Sequence, residues 1–277
     1  MIKLKIEEMI KQALIEDMNY GDITSETLLS GHEKSVADLI AKESGVISGI
    51  DVFESTFRMV DAACEIEWFV SNGEGVEKGQ KLAVIRGLSI HLLRAERTAL
   101  NLLQRMSGIA TLTSRYVEAV KPYNARVVDT RKTVPGLRIL DKIAVKCGGG
   151  FNHRFNLSDA VMIKDNHIRA VGSIQEAVKR ARAHIPHTTK IEIEVESLKE
   201  LNEAIDAGAD IIMLDNMSLE EMQAAVAITA KRVILEASGN VTLDRVSEIA
   251  KTGVDVISVG ALTHSVKALD LSLRFRK

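Results

Sequence analysis

An α/β chain of two parts is predicted: an N-terminal α+β sandwich over residues 1–107, then an irregular, incomplete α/β barrel over 108–266, with a final helix at 267–277 packing back on the first domain. Three observations predict it. Short apolar runs alternate with amphipathic segments, the grammar of βα units on a parallel sheet. Those runs lead straight into polar groups: ARVV into DTRK, AVMI into KDNH, IEIEV into Glu196, DIIML into Asp215-Asn216, RVILE into Ala237-Ser238-Gly239, and DVISV into Gly260-Ala261. Strands that deliver function at their carboxyl ends describe a barrel with its site at one mouth. Finally, 277 residues with 46% hydrophobic content suffice for a substantial core, in one domain or two.

Taken in order, residues 4–17 show helical periodicity, with Ile6, Met9, Ile10, Ala13 and Leu14 on one face, ended by Tyr20-Gly21-Asp22. From Ser35 to Gly87 short strands dominate, with one helix near Val52–Val60. The turn SNGEGVEKGQ before KLAVIRG resembles lipoyl and biotinyl carrier hairpins, but Lys78 lacks their Met-Lys-Met or Asp-Lys-Ala setting, so a glycine turn in a small sandwich is the better reading. A long helical stretch over 88–120 follows, expected to break or kink at Ser107-Gly108, which sets the domain boundary. Its Arg94, Arg97 and Arg105 read as surface arginines or partners of Glu96. Six barrel strands are visible, near Val127, Val161, Ile193, Ile212, Ile234 and Ile257, with helices between them, among them 139–147.

The net charge of −2, without long basic runs, gives no support to nucleic-acid binding. No apolar run approaches the roughly 20 residues that span a bilayer, and the start of the chain shows no signal-peptide pattern, so a cytoplasmic protein with no membrane partner is expected. Cys64 and Cys147 indicate neither zinc nor a disulfide framework. Charge is instead local. Residues 129–167 hold seven Lys and Arg (Arg131, Lys132, Arg138, Lys142, Lys146, Arg154, Lys164) against four Asp, beside Gly148-Gly149-Gly150 and two histidines. That composition suits a pocket for a strongly negative ligand, although a solvated basic face has the same ingredients.

Two chemical requirements are met at the strand ends. Small residues that present backbone N–H groups to a phosphate stand in the last two βα turns, Ser238-Gly239 and Gly260-Ala261, where ordinary tight turns are the alternative. Glu194 and Asp215 end successive strands and suit Mg²⁺, or equally salt bridges to the lysines. By the period-two rule Glu192, Glu194 and Glu196 share one face, and burying all three needs cations such as Arg131, Lys132 or Lys164, or a metal.

ERTALNLLQRMSGIAT, DTRKTVPGLR, GGGFNHR, MIKDNH, EVES, MLDN, EASGN and SVGALTHS resemble, in this order and over nearly the whole chain, the segments of the quinolinate phosphoribosyltransferase family. DTRKT followed by GGGxNHR and IKDNH is a highly specific combination; GGG alone is weak. The resemblance implies a probe set of expectations: a seven-stranded irregular barrel, and transfer of phosphoribosyl from 5-phosphoribosyl 1-diphosphate to quinolinate with release of diphosphate and CO₂. It implies Arg131, His153 and Arg154 on quinolinate, with Arg97 reaching across a dimer interface into the partner's site. Lys132 and Lys164 are implied near the reacting centre and diphosphate. Glu194 and Asp215 are implied on Mg²⁺ or ribose, with Ser238, Gly239, Gly260 and Ala261 on the 5-phosphate. A homodimer with shared sites is implied, a trimer of dimers being left open. Asn240 stands where some relatives carry a second glycine. Two other readings remain: a Schiff-base lyase using Lys164, and a related transferase acting on another aromatic acid, as in paralogues associated with molybdenum uptake.

Overall fold

The computed structural model describes residues 2–276. By compactness the chain divides into two units, one of residues up to 114, 133–149 and from 262 on, the other of residues 115–132 and 150–261.

The first unit opens with α1 (Ile2–Asp17), which buries Ile10 and Leu14, and α2 (Ile23–Leu28), capped by the Asp22 carboxylate on Ser25 N–H. After β1 (Lys34–Ala41) and β2 (Gly45–Val46) comes α3 (Ile50–Val60), whose apolar face buries Phe53 and Phe57. Next are β3 (Glu65–Trp68), β4 (Gly75–Val76) and β5 (Lys81–Leu88), then α4 (Ser89–Val120). The sheet runs β12-β1-β5-β3, where β12 is Leu271–Phe275, and its core gathers Leu39, Phe53, Phe57, Leu82, Ile85 and Leu103.

Four expectations fail in this unit. The tail is a strand, not a helix: β12 pairs antiparallel with β1 in the register Leu273 to Leu39, burying Leu271 and Leu273. LSLRF alternates apolar and polar residues, and the open edge of β1 offers backbone partners that a short isolated helix would lack. Nor does α4 break at Ser107-Gly108. The two are small because chain passes close by: buried Ser107 Oγ accepts from Ser48 N at 3.1 Å and donates to Ser48 O at 3.2 Å, and a Cβ on Gly108 would lie 2.3 Å from Lys267 O. Arg105 is likewise no surface residue. It makes two hydrogen bonds of 2.9 Å to the fully buried Asp141 of α5 (Arg138–Cys147), a helix counted above with the barrel but belonging to this unit. Burial pushes Asp141 above the usual carboxylate range while Arg105 pulls it back.

The second unit carries the parallel sheet. Its strands are β6 (Arg126–Val128), β7 (Val161–Ile163), β8 (Ile191–Val195), β9 (Ile211–Asp215), β10 (Ile234–Ser238) and β11 (Val256–Ser258), in the order β6-β11-β10-β9-β8-β7. Between them lie α6 (Asp165–Val171), α7 (Ile174–His184), α8 (Leu198–Asp206), α9 (Leu219–Thr229) and α10 (Val246–Lys251), and α11 (Ala261–His264) follows the last strand. Serine caps start α7, α8 and α9, each accepting from the backbone N–H three residues on. All six strands fall where the apolar runs stood, and a one-residue parallel bridge from Val128 to Phe151 extends the sheet beyond β6. Among the described residues the barrel therefore has six named strands plus this bridge.

Candidate active site

Adjacent strand ends supply the first half of the site. The pairing of Ile163 with Ile193 and of Val195 with Leu214 brings the carboxyl ends of β7, β8 and β9 side by side, and Asp215 pairs directly with Ser238. Lys164 caps α6 just after β7, and its Nζ donates to Glu194 on β8 in a salt bridge. Alternation along β8 sorts the three glutamates by depth: Glu192 is buried, Glu194 half-buried and Glu196 exposed. The same rule on β10 puts Glu236 below Ser238, as Glu192 lies below Glu194. Glu236 was not picked from the sequence, although the period that sorted IEIEVE applies equally to ILEAS.

The second half comes from the return of the chain beside β6. Phe151 N donates to Val127 O at 2.9 Å and Asp129 N to Phe151 O at 3.2 Å. Asp129, fully buried, accepts from His153 N at 2.9 Å and Asn152 Nδ2 at 2.6 Å. These contacts stitch FNHR next to DTRK and set His153 and Arg154 at the mouth.

His153 Nε2 faces two buried carboxylates, Glu192 at 3.3 Å and Glu236 at 3.4 Å. Burial pulls the imidazole down, and the hydrogen bonds and charges of Glu192 and Glu236 more than reverse it, pushing its pKa up to about 10. Against a doubly protonated ring stands Arg154 N, which donates to Nδ1 at 2.7 Å and so needs a lone pair there. That contact decides for the Nε2–H tautomer. Burial foremost pushes the Glu192 carboxyl up and the charge of Glu236 adds to it, while His153 lowers it. His153, Glu192 and Glu236 bring their ligand atoms within 4.8 Å of one another, close enough for an ion. With its proton on Nε2, the ring has no lone pair at the atom that faces the two carboxylates, and its Nδ1 lone pair already accepts from Arg154 N.

A cleft of about 690 Å³ joins both halves, lined by Arg131, Lys132, His153, Arg154, Lys164, Glu194, Asp215, Ser238 and Gly239, all expected, and also by Thr130, Met162, Met213, Asn216, Glu236, Asn240 and Ser258. Arg154 donates to Ala160 O at 3.1 Å. Burial first, and then the nearby charge of Arg131, hold its guanidinium below its ordinary value. Gly260 and Ala261 are half-buried and not among the lining residues, and Arg97 is exposed on α4, in the first unit. Glu194 and Asp215 supply the carboxylate oxygens that Mg²⁺ takes and both face the cleft, so the donor set fits that ion. Two close guanidiniums and two ammonium groups over an acidic floor form a cleft charged for a ligand with several anionic groups.

Comparison with known proteins gives a consistent result. Residues 22–107 match the family described as "Quinolinate phosphoribosyl transferase, N-terminal domain" and residues 109–274 the corresponding "C-terminal domain". The chain is 43% identical to "Quinolinate phosphoribosyltransferase [decarboxylating] 2b, mitochondrial" of Nicotiana tabacum, over 97% of this chain and 82% of that one. It is similar to the structure of the nicotinate-nucleotide pyrophosphorylase from Francisella tularensis, with a TM-score of 0.94, 42% identity, and coverage of 98% of this chain and 96% of that one. It is also similar to NadC from Streptococcus pyogenes, with a TM-score of 0.95, 44% identity, and coverage of 99% and 98%.

Proposed function

Because the chain belongs to the quinolinate phosphoribosyltransferase family, we propose that its barrel cleft joins quinolinate to the phosphoribosyl group of 5-phosphoribosyl 1-diphosphate. Diphosphate and CO₂ leave, and nicotinate mononucleotide is formed for pyridine nucleotide synthesis. The observation that carries this reading is one cleft that gathers Arg131, Lys132, Arg154 and Lys164, four cations for the carboxylates and phosphates of the two substrates.

Arg131 and Arg154 take the two carboxylates in forked hydrogen bonds, and His153 orders the floor beside them. Lys132 and Lys164 hold the diphosphate as it departs, with the Lys164 ammonium pre-placed by Glu194. Glu194 and Asp215 meet the ribose hydroxyls and stabilise positive charge that develops at the anomeric carbon. Mg²⁺ held by the same two carboxylates supplies further neutralisation of the donor's phosphates when bound. Ser238 and Gly239 present N–H groups to the 5-phosphate, whereas Gly260 and Ala261, which do not line the cleft, take no part in this reading. Nothing here needs a covalent nucleophile, since positioning and charge suffice. Lys164, fixed in a salt bridge, serves as a placed charge rather than as a Schiff-base nucleophile, and the family match does not favour the lyase.

The working unit is a homodimer in which Arg97 completes the partner's cleft. Supporting this, Arg97 is exposed on α4. The free thiols Cys64 and Cys147 suit the reducing cytoplasm. No described helix is long and apolar enough to cross a membrane.

The test is incubation of the purified protein with quinolinate, donor and Mg²⁺, with nicotinate mononucleotide as the expected product. Nicotinate, which lacks one carboxylate and its charge-assisted bonds of about 1.5–3 kcal/mol each, should react far more slowly. Equal turnover of both acids would contradict the two-arginine pocket.

A further inference from the structure

Asn216 is the first residue after β9 and takes a left-handed backbone, φ 55°, a conformation in which Asn is enriched. Three hydrogen bonds leave this one residue. Its N–H donates to Ser238 O at 3.0 Å. Its Nδ2 donates to Asp215 Oδ2 at 2.9 Å, and its Oδ1 accepts from Asn240 Nδ2 at 3.1 Å. Gly239, at φ 89°, runs so close that a Cβ on it would lie 2.1 Å from Asn216 Oδ1 and 2.9 Å from Asn216 N. Glycine at 239 is therefore required twice, by its backbone angle and by the amide lying against it. From the far side Arg245 Nη1 donates to Asn240 O at 3.2 Å and fixes the other end of the same turn.

The sheet already makes Asp215 and Ser238 neighbours through their register. What pairing leaves open is the rotation of the Asp215 carboxylate and the path of the turn after β10. The Asn216 amide touches both, the carboxylate with its nitrogen and the turn with its oxygen.

We propose that Asn216 is a positioning residue for the phosphoribosyl donor. Its amide fixes the separation between the Asp215 carboxylate and the Ser238–Asn240 turn, so that the ribose hydroxyls and the 5-phosphate of one molecule are met together. The inference rests on the donor-site reading given above and extends it to a residue that contacts neither reacting atom. A ligand that spans both subsites feels the loss of Asn216 most, one confined to the turn feels it less, and one on the arginines does not feel it.

Calorimetric titration separates these cases with three probes: ribose 5-phosphate, which spans both subsites; inorganic phosphate, which reaches only the turn; and quinolinate. Asn216→Gly keeps the left-handed backbone while removing the amide. It is expected to weaken ribose 5-phosphate about tenfold, phosphate less than about threefold, and quinolinate not measurably, with an unchanged melting temperature. Asn216→Asp, which keeps the acceptor for Asn240 but has no donor for Asp215, is expected to weaken ribose 5-phosphate at least as much, and carries the test if the glycine variant folds poorly. Unaltered ribose 5-phosphate affinity in either folded variant, or equal weakening of all three probes, overturns the role of Asn216. Failure of the unaltered protein to bind ribose 5-phosphate removes the donor-site reading itself, and the inference with it.

Discussion

Arg131 and Arg154 show how single residues set the chemistry of this cleft. A guanidinium offers a planar fork that matches a carboxylate in two hydrogen bonds, and Arg154 already feels both its burial and the charge of Arg131. Arg131→Lys keeps the charge and loses the fork. Its KM for quinolinate is expected to rise about tenfold to a hundredfold, with little change in KM for the donor, as initial-rate kinetics with each substrate varied in turn would show. The specific triplet DTRK, GGGFNHR and IKDNH made Arg131, His153, Arg154 and Lys164 legible before any coordinates. Glu236 and Asn216 were not so legible: their partners are His153, 83 positions away, and the turn at Ser238–Asn240, and no local pattern announces a partner that distant.

Among the elements, α4 and β12 depart most from expectation, and each departure has a measurable consequence. Gly108 lies inside an unbroken helix because the chain at Lys267 and Ala268 passes over it. Although alanine is the better helix former, Gly108→Ala places a methyl group against backbone that cannot yield easily. A loss of about 1–3 kcal/mol is expected, read as a lower midpoint in denaturant unfolding. At the end of β12, Arg276 makes two hydrogen bonds, of 2.7 and 3.1 Å, to Asp38 on β1. The Arg276 hydrogen bond is the main reason that the Asp38 carboxyl lies below its ordinary value, with Lys81 adding to it and burial opposing it. A depressed carboxylate contributes stability that is present above its unfolded value of 3.8 and lost as pH falls through the folded one. Arg276→Ala should therefore lower stability at pH 6 and cost progressively less as pH falls below 3.8, as denaturant midpoints across that range would show.

At the scale of the whole molecule, the proposed homodimer adds a condition that no single chain meets. If Arg97 serves the partner's cleft, homodimers of Arg97→Ala and of Lys164→Ala are each nearly inactive, because every site lacks one component. A heterodimer of the two gathers both defects into one site and leaves the other intact. Co-expressed chains carrying different tags, purified as heterodimers, are expected to recover about half the activity of the unaltered dimer per dimer. Heterodimers as inactive as the parents would withdraw Arg97 from the site.

The amino-acid sequence by itself determined the strand positions and the residue types at their carboxyl ends, because burial on a parallel sheet imposes apolar runs and a period of two that are visible without coordinates. It also placed Glu192, Glu194 and Glu196 on one face. Only the tertiary structure decided which strand ends are neighbours, and hence that Lys164 meets Glu194 and that His153 sits between Glu192 and Glu236. Only the tertiary structure turned LSLRF into a strand, since its alternation acquires meaning when the free edge of β1 stands beside it. The physical reason is common to all of these. Periodicity fixes the face on which a side chain lies, whereas its partner depends on register and on the return of distant chain, which no short stretch of sequence encodes.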